Sequence, residues 1–183
     1  MSGLPEKIVA LHDALERASL PHAFGGALAL AWCTERARGT IDIDVNVFVD
    51  AERSEDVFAA LPKNVRRTRE DLAVLRRDGQ IRLWWDGTPI DLFLNTTDLH
   101  AHVAERTRWE RFATRTIPFL SCYDLAVFKA FFNRTKDWAD LEEMQSAGTL
   151  DASRVVGTIA EYLGADDERL ARLRALAAIT RED

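Results

Sequence analysis

Leu4, Ile8, Leu11 and Leu15 recur every three or four positions, the spacing that lines apolar side chains along one face of an α-helix. The pattern predicts a helix to about Ala18, with Pro5 tolerated in its first turn and Pro21 stopping it. His22 to Phe24 suits a short strand leading into Gly25-Gly26, and Ala27 to Glu35, rich in Ala and Leu, suits a buried helix. After a turn at Arg38-Gly39, Ile41 to Val49 alternates with the period of two that marks a strand. Ile41, Ile43 and Val45 are then expected in the core, with Asp42 and Asp44 together on the opposite face. Residues 53–61 suit a short helix, and 64–78 show no decisive period.

Gln80 to Trp85 and Thr88 to Asn95 flank Asp86-Gly87, a strong signal for a two-residue β-hairpin. Placing Trp85 opposite Thr88 sets Leu83 against Ile90, Arg82 against Asp91 and Ile81 against Leu92. A helix over 98–106 and a strand from Arg111 to Phe119 are expected next. Ser121 and Asp124 have the spacing of a helix cap, and Leu125, Phe128 and Phe132 supply an apolar stripe behind them. Three further helices, near 136–147, 151–163 and 166–179, are separated by Gly148 and Gly164. The chain therefore divides into a mixed core over 1–120 and a helical region over 121–183 packed on it, an α+β architecture without internal repeats.

With 183 residues, 47% hydrophobic and 30% charged, the composition is that of a globular protein with a real core. The formal charge of -6 argues against a protein that coats nucleic acid through excess Lys and Arg. Arginines do cluster at 66, 67, 69, 76, 77 and 82 and again at 106, 108, 111 and 115, and for most of them a solvated face suffices. Cys33 and Cys122 are far apart in sequence, so neither a disulfide scaffold nor a cysteine zinc site is expected. The N-terminal segment lacks an uninterrupted apolar stretch and no segment reaches membrane-spanning length, which predicts a cytoplasmic protein without a membrane partner.

Asp42 and Asp44, two apart on a strand, present side by side the hard oxygen donors that suit Mg²⁺. An amphipathic strand with a solvated acidic face would show the same spacing. Gly25-Gly26 stands at a strand-to-helix turn, where backbone N–H groups and the helix N-terminus can approach a phosphate. Asp91 adds a third carboxylate, as the two-ion geometry of phosphoryl and nucleotidyl transfer requires, and the hairpin register equally predicts its salt bridge to Arg82. Lys129 lies within an apolar run and is explained equally by snorkelling to solvent. Arg134, Lys136, Asp137 and Asp140 fit helix ion pairs as well as a patch facing a nucleotide.

Phe24-Gly25-Gly26-Ala27-Leu28-Ala29 followed by Arg38-Gly39-Thr40-Ile41-Asp42-Ile43-Asp44 resembles the signature of the nucleotidyltransferase superfamily. With Leu125 to Lys129 and Asn133 to Leu141, the chain is most similar to the abortive-infection toxin (AbiEii-like) branch, over roughly residues 24–147. The resemblance implies a polymerase beta-like fold, a mixed sheet flanked by helices, with NTP as substrate. It assigns Gly25, Gly26, Arg38, Thr40, Lys129 and Asp137 to the nucleotide, and Asp42, Asp44 and Asp91 to catalysis and to Mg²⁺, as a two-ion site. Ala27 stands where many relatives carry Ser or Thr. The expected activity is transfer of NMP to a hydroxyl on a protein, an RNA end such as that of tRNA, or a small molecule, with a role in a toxin–antitoxin or abortive-infection system. The alternatives are a non-catalytic nucleotide-binding or antitoxin-like module, and an antibiotic-modifying nucleotidyltransferase.

Overall fold

A computed structural model of the chain describes residues 3–36 and 39–179, so Arg38 lies outside the described residues. Two compact units result, residues 1–28 with 38–120, and residues 29–37 with 121–183. The first is built on a six-stranded mixed sheet. Its strands are β1 (His22–Phe24), β2 (Ile43–Asp50), β3 (Gln80–Trp85), β4 (Thr88–Asn95), β5 (Arg108–Phe112) and β6 (Arg115–Phe119), in the order β3-β4-β2-β1-β6-β5. β1 runs antiparallel to β2 and parallel to β6, and β2 runs parallel to β4.

Helices α1 (Leu4–Arg17), α3 (Ser54–Ala60) and α4 (Arg69–Asp78) pack against this sheet, whose covered side carries Phe24, Ile43, Val45, Val47, Ile90, Leu92 and Ile117, all fully buried. α1 contributes Ile8, Leu11 and Leu15 to the same core. The buried Lys7 amine ties α1 to the β3–β4 hairpin by donating to the Trp85 carbonyl at 2.8 Å and to Thr88 Oγ1 at 2.9 Å. A second tie is the hydrogen bond of 2.9 Å between His12 Nδ1 on α1 and His22 Nε2 on β1, with His22 Nδ1 donating to the Leu20 carbonyl at 2.8 Å.

The hairpin forms in the expected register, Arg82 opposite Asp91 and Leu83 opposite Ile90. Two local expectations need correction, and one undecided segment is resolved. Ile41 does not enter the core but is 81% exposed, because β2 begins only at Ile43. The single strand expected over 111–119 is a second hairpin, β5 and β6, turned at Ala113 in the left-handed region (φ 50°), where the sequence offers no glycine to announce a turn. The segment 64–78 contains α4, whose capping box is closed by Thr68 and Asp71 and whose C-cap Gly79 is left-handed at φ 67°. Residues 98–106 form the short helix α5 (Leu99–Val103) and a 3₁₀ turn over Ala104–Arg106.

The second unit takes up the latter part of α2 (Gly26–Thr34) together with α6 (Cys122–Phe132), α7 (Thr135–Ser146), α8 (Ala152–Leu163) and α9 (Glu168–Ile179). Ser121 caps α6 as expected, accepting from the Asp124 N–H at 3.1 Å. Leu125, Trp138, Leu141, Met144, Val155, Ile159 and Leu173 form its core, whereas Phe132 remains 45% exposed. Cys33 and Cys122 are joined by a disulfide. This corrects the expectation from their spacing: a separation of 89 residues says nothing of distance once the chain returns at Ser121 to the flank of α2. Among the described residues no helix is long and apolar enough to cross a membrane.

Two stability effects are expected. The disulfide closes a long loop, and such a cross-link restricts the unfolded chain by about 2–4 kcal/mol. Denaturant unfolding with and without reductant should differ by that amount, and the Cys33→Ser variant should match the reduced protein. Burial pushes the His22 imidazole down from its ordinary 6.5 to about 4, the Leu20 carbonyl opposing this only in part. The fold thus holds His22 neutral while the unfolded chain protonates it. The resulting stability is full above pH 6.5 and is lost as pH falls toward 4, by up to about 3 kcal/mol. A His22→Gln variant should therefore lose stability less steeply between those values, and an unchanged slope would assign the titration elsewhere.

Candidate active site

On the face of the sheet opposite α1, the even-numbered residues of β2 meet their partners on the neighbouring strands. Asp44 lies opposite Asp91 in the parallel β2–β4 ladder, and Asp91 lies opposite Arg82 in the β3–β4 hairpin. The row across the three strands therefore reads Asp44, Asp91, Arg82. Adjacent strands are about 4.8 Å apart, so the two carboxylates are near neighbours. Both are half-buried.

Two like charges this close repel each other, and Arg82 offsets that repulsion. Its Nε donates to Asp91 Oδ1 at 2.7 Å and its Nη2 to Asp91 Oδ2 at 2.6 Å, a two-pronged pairing. Hydrogen bonding to Asp91 and then the charge of Asp91 push the guanidinium pKa up, with smaller contributions from Asp42 and Asp44. The expected salt bridge therefore forms, with Asp91 beside Asp44.

Asp42 precedes β2 and is held locally: the Thr40 hydroxyl donates to its Oδ1 at 2.6 Å, and the Asp42 N–H donates to Thr40 Oγ1 at 3.3 Å. Thr40, expected to touch nucleotide, therefore orients a carboxylate. Gly25 joins the row from β1, its N–H donating to the Asp44 carbonyl at 2.9 Å. Gly26 opens α2 at φ 52°, and a Cβ there would overlap the Asp44 carboxylate. The acid thus lies against the glycine backbone at the start of a helix, where the dipole favours negative charge. Asn46, 7% exposed, follows Asp44 on the same face, and its Nδ2 is 3.1 Å from the position of a Gly25 Cβ. Its role went unread in the sequence, although Asp42, Asp44 and Asn46 alternate along one face.

Lys129 and Asp137 belong to the helical unit. Lys129 does not snorkel: it is 6% exposed, donates to Asp140 Oδ2 at 2.5 Å and lies 3.8 Å from Asp137 Oδ1. Arg134 Nε donates to Asp137 Oδ2 at 2.6 Å. Two cations and two carboxylates neutralise one another here, the ion-pair alternative for this segment.

No protein-family model matches the sequence, and no curated protein does. Among solved structures the chain is similar to the antibiotic-resistance factor ANT(2'')-Ia in solution, at TM-score 0.55 and 19% identity over 97% of this chain and 91% of that one. It is similar to ANT(2'')-Ia in complex with adenylyl-2''-tobramycin at TM-score 0.55 and 15% identity, covering 96% and 98%. The lincosamide antibiotic adenylyltransferase LnuA with lincomycin bound aligns at TM-score 0.52 and 15% identity, covering 78% and 96%. The fold is the nucleotidyltransferase fold, a mixed sheet with flanking helices, as expected.

Gly26→Ala tests how tightly the turn and the acid fit. A left-handed residue with a side chain costs about 1–2 kcal/mol on backbone grounds, and the overlap with Asp44 adds to it. Thermal unfolding should show at least that loss, with chemical shifts at Asp44 displaced. A variant as stable as the parent would show that the carboxylate does not rest on the glycine.

Proposed function

We propose that the chain is a Mg²⁺-dependent nucleotidyltransferase of the AbiEii-like branch, which moves NMP from an NTP such as ATP to a hydroxyl acceptor. The observation that carries this is the placement of Asp44 directly beside Asp91, against the glycine turn that starts α2. A structural role alone gives no reason to gather carboxylates in a row and then neutralise one of them with an arginine.

The donor set fits the ion. Asp42, Asp44 and Asp91 offer hard oxygen ligands of the type that Mg²⁺ prefers. When bound, Mg²⁺ would neutralise phosphate charge and favour departure of pyrophosphate. The chain's own groups do the rest. Asp91 accepts the proton of the acceptor hydroxyl as its oxygen bonds to the α-phosphorus and the bond to the β-phosphate breaks. Arg82 holds both Asp91 oxygens and must yield one of them when the site is engaged. The backbone at Gly25 and Gly26 lets the triphosphate approach α2, and Thr40 fixes the Asp42 carboxylate.

The acceptor class is a hydroxyl on a protein, an RNA end or a small molecule, with a cognate toxin or antitoxin as partner and the cytoplasm as location. The three similar structures are of enzymes with antibiotic acceptors, which keeps a small molecule in the set. One observation favours a second reading, a nucleotide-binding module without turnover: Arg82 occupies both Asp91 oxygens.

Incubation with α-labelled NTP, Mg²⁺ and cell lysate should transfer label to an acceptor and release pyrophosphate. Asp44→Asn and Asp91→Asn should each lower the rate at least about a hundredfold while leaving the fold intact. Labelling undiminished in both variants would sink the mechanism. NTP binding without pyrophosphate on long incubation would select the non-catalytic module.

A further inference from the structure

β1 has two ends. Gly25 and the acid row lie at one, and at the other a cavity of about 360 Å³ opens beside the end of α1. Its walls are mainly apolar, formed by Leu20, Pro21, Phe48, Trp109 and Pro118, and Glu16 is the charged residue among its described lining. Three residues of strand, about 10 Å, separate it from the glycine turn.

The hydrogen bonds behind the cavity fix where the protons are. The Leu20 carbonyl can only accept, so His22 Nδ1 carries a proton and donates to it at 2.8 Å. Neutral His22 then has a lone pair on Nε2, which accepts from His12 Nδ1–H at 2.9 Å. Neutral His12 is left with its lone pair on Nε2, which faces Glu16 Oε2 at 3.5 Å. Two acceptors thus face each other with no proton between them. Burial holds both imidazoles below their ordinary value, so they are neutral near pH 7. Asp13 also lies near His12, but its charge is matched by Arg115 Nε at 3.2 Å. Glu16 receives no such compensation from a neutral His12.

We propose that this cavity binds a small organic ammonium ion carrying an apolar body. Its N–H groups donate to the Glu16 carboxylate, the acceptor that neutral His12 leaves without a proton. The Trp109 indole, 55% exposed, lines the same cavity as Glu16 and offers its ring to the positive charge. The apolar walls cover the body, and an anion of the same size is repelled by Glu16. This site is separate from the acid row and does not depend on nucleotidyl transfer.

The test uses the whole chain and two probes of like size and opposite charge, 2-phenylethylamine and 3-phenylpropionate. Calorimetry should show the amine binding at least about tenfold tighter than the acid, and Glu16→Gln should remove that preference. Glu16 has a side chain 62% exposed, so the variant retains the fold. Amide and indole resonances of Glu16, Leu20 and Trp109 should move with the amine while those of Asp44 and Asp91 stay in place. Trp109→Leu, which keeps the apolar wall, should weaken the amine several-fold. Equal binding of the two probes, shifts confined to Asp44 and Asp91, full affinity in Glu16→Gln, or no heat up to about 10 mM amine would each overturn the proposal. Displacement of the amine by Zn²⁺ with loss of the His12 signals would also overturn it, marking the His12, Asp13 and Glu16 group as a metal site instead.

Discussion

The parallel pairing of β2 with β4 sets Ile43 against Ile90, Asp44 against Asp91 and Val45 against Leu92. Side chains alternate along a strand, so a slip of one residue would turn the carboxylates into the core and the aliphatics out of it. Ile43, Val45, Val47, Ile90 and Leu92 are fully buried and Leu94 nearly so. At 1.5–3 kcal/mol for each buried side chain, the register is held by something of order 10 kcal/mol. The repulsion of two neighbouring carboxylates near a surface is only about 3 kcal/mol. Packing therefore wins, and the acids are neighbours because the aliphatics behind them have one acceptable alignment.

Arg82 removes much of the remaining penalty. Its position follows from the tight Asp86-Gly87 turn, which fixes the hairpin register and so places the guanidinium opposite Asp91. The pairing leaves the row with one net negative charge where Asp44 and Asp91 alone would carry two. It also sets the order in which charges rearrange, since any cation reaching Asp91 competes with a fork already bonded through both prongs. Stability of the empty sheet and readiness of the acid row are in this sense opposed.

Elements governed by short-range patterns were legible in the sequence. The β3–β4 register, the Ser121 cap and the helices after it follow from turn chemistry and apolar period, and all are found. Features set by distant chain segments were not. The end of β2 at Ile43 leaves Ile41 exposed, although its neighbours alternate without a break. Ala113 takes a left-handed turn with no glycine to mark it. Lys129 is drawn inside by Asp140, eleven residues on, and Cys33 meets Cys122 across 89 residues. In the candidate site, the alternation of Asp42 and Asp44 and the cross-strand place of Arg82 were readable. The packing of Asp44 on Gly26 and the use of Thr40 as an orienting donor required the third dimension.

β1 is the shared part of the two polar regions, and its construction bears on whether they communicate. It is three residues long, paired along its length with β2 and through Phe24 with β6, with Ala23 and Phe24 fully buried. Its entry is fixed by the bonds of His22 to Leu20 and His12, and its exit by the Gly25 bond to the Asp44 carbonyl. Coupling between sites needs an element with two arrangements that both sites bias. A strand clamped at both ends and packed on both edges is a poor candidate for that element. A ligand in the cavity by α1 would then act chiefly by mass action on the folded state, stabilising the sheet unit in proportion to its occupancy. The strand that separates the two regions holds each in place and transmits little between them.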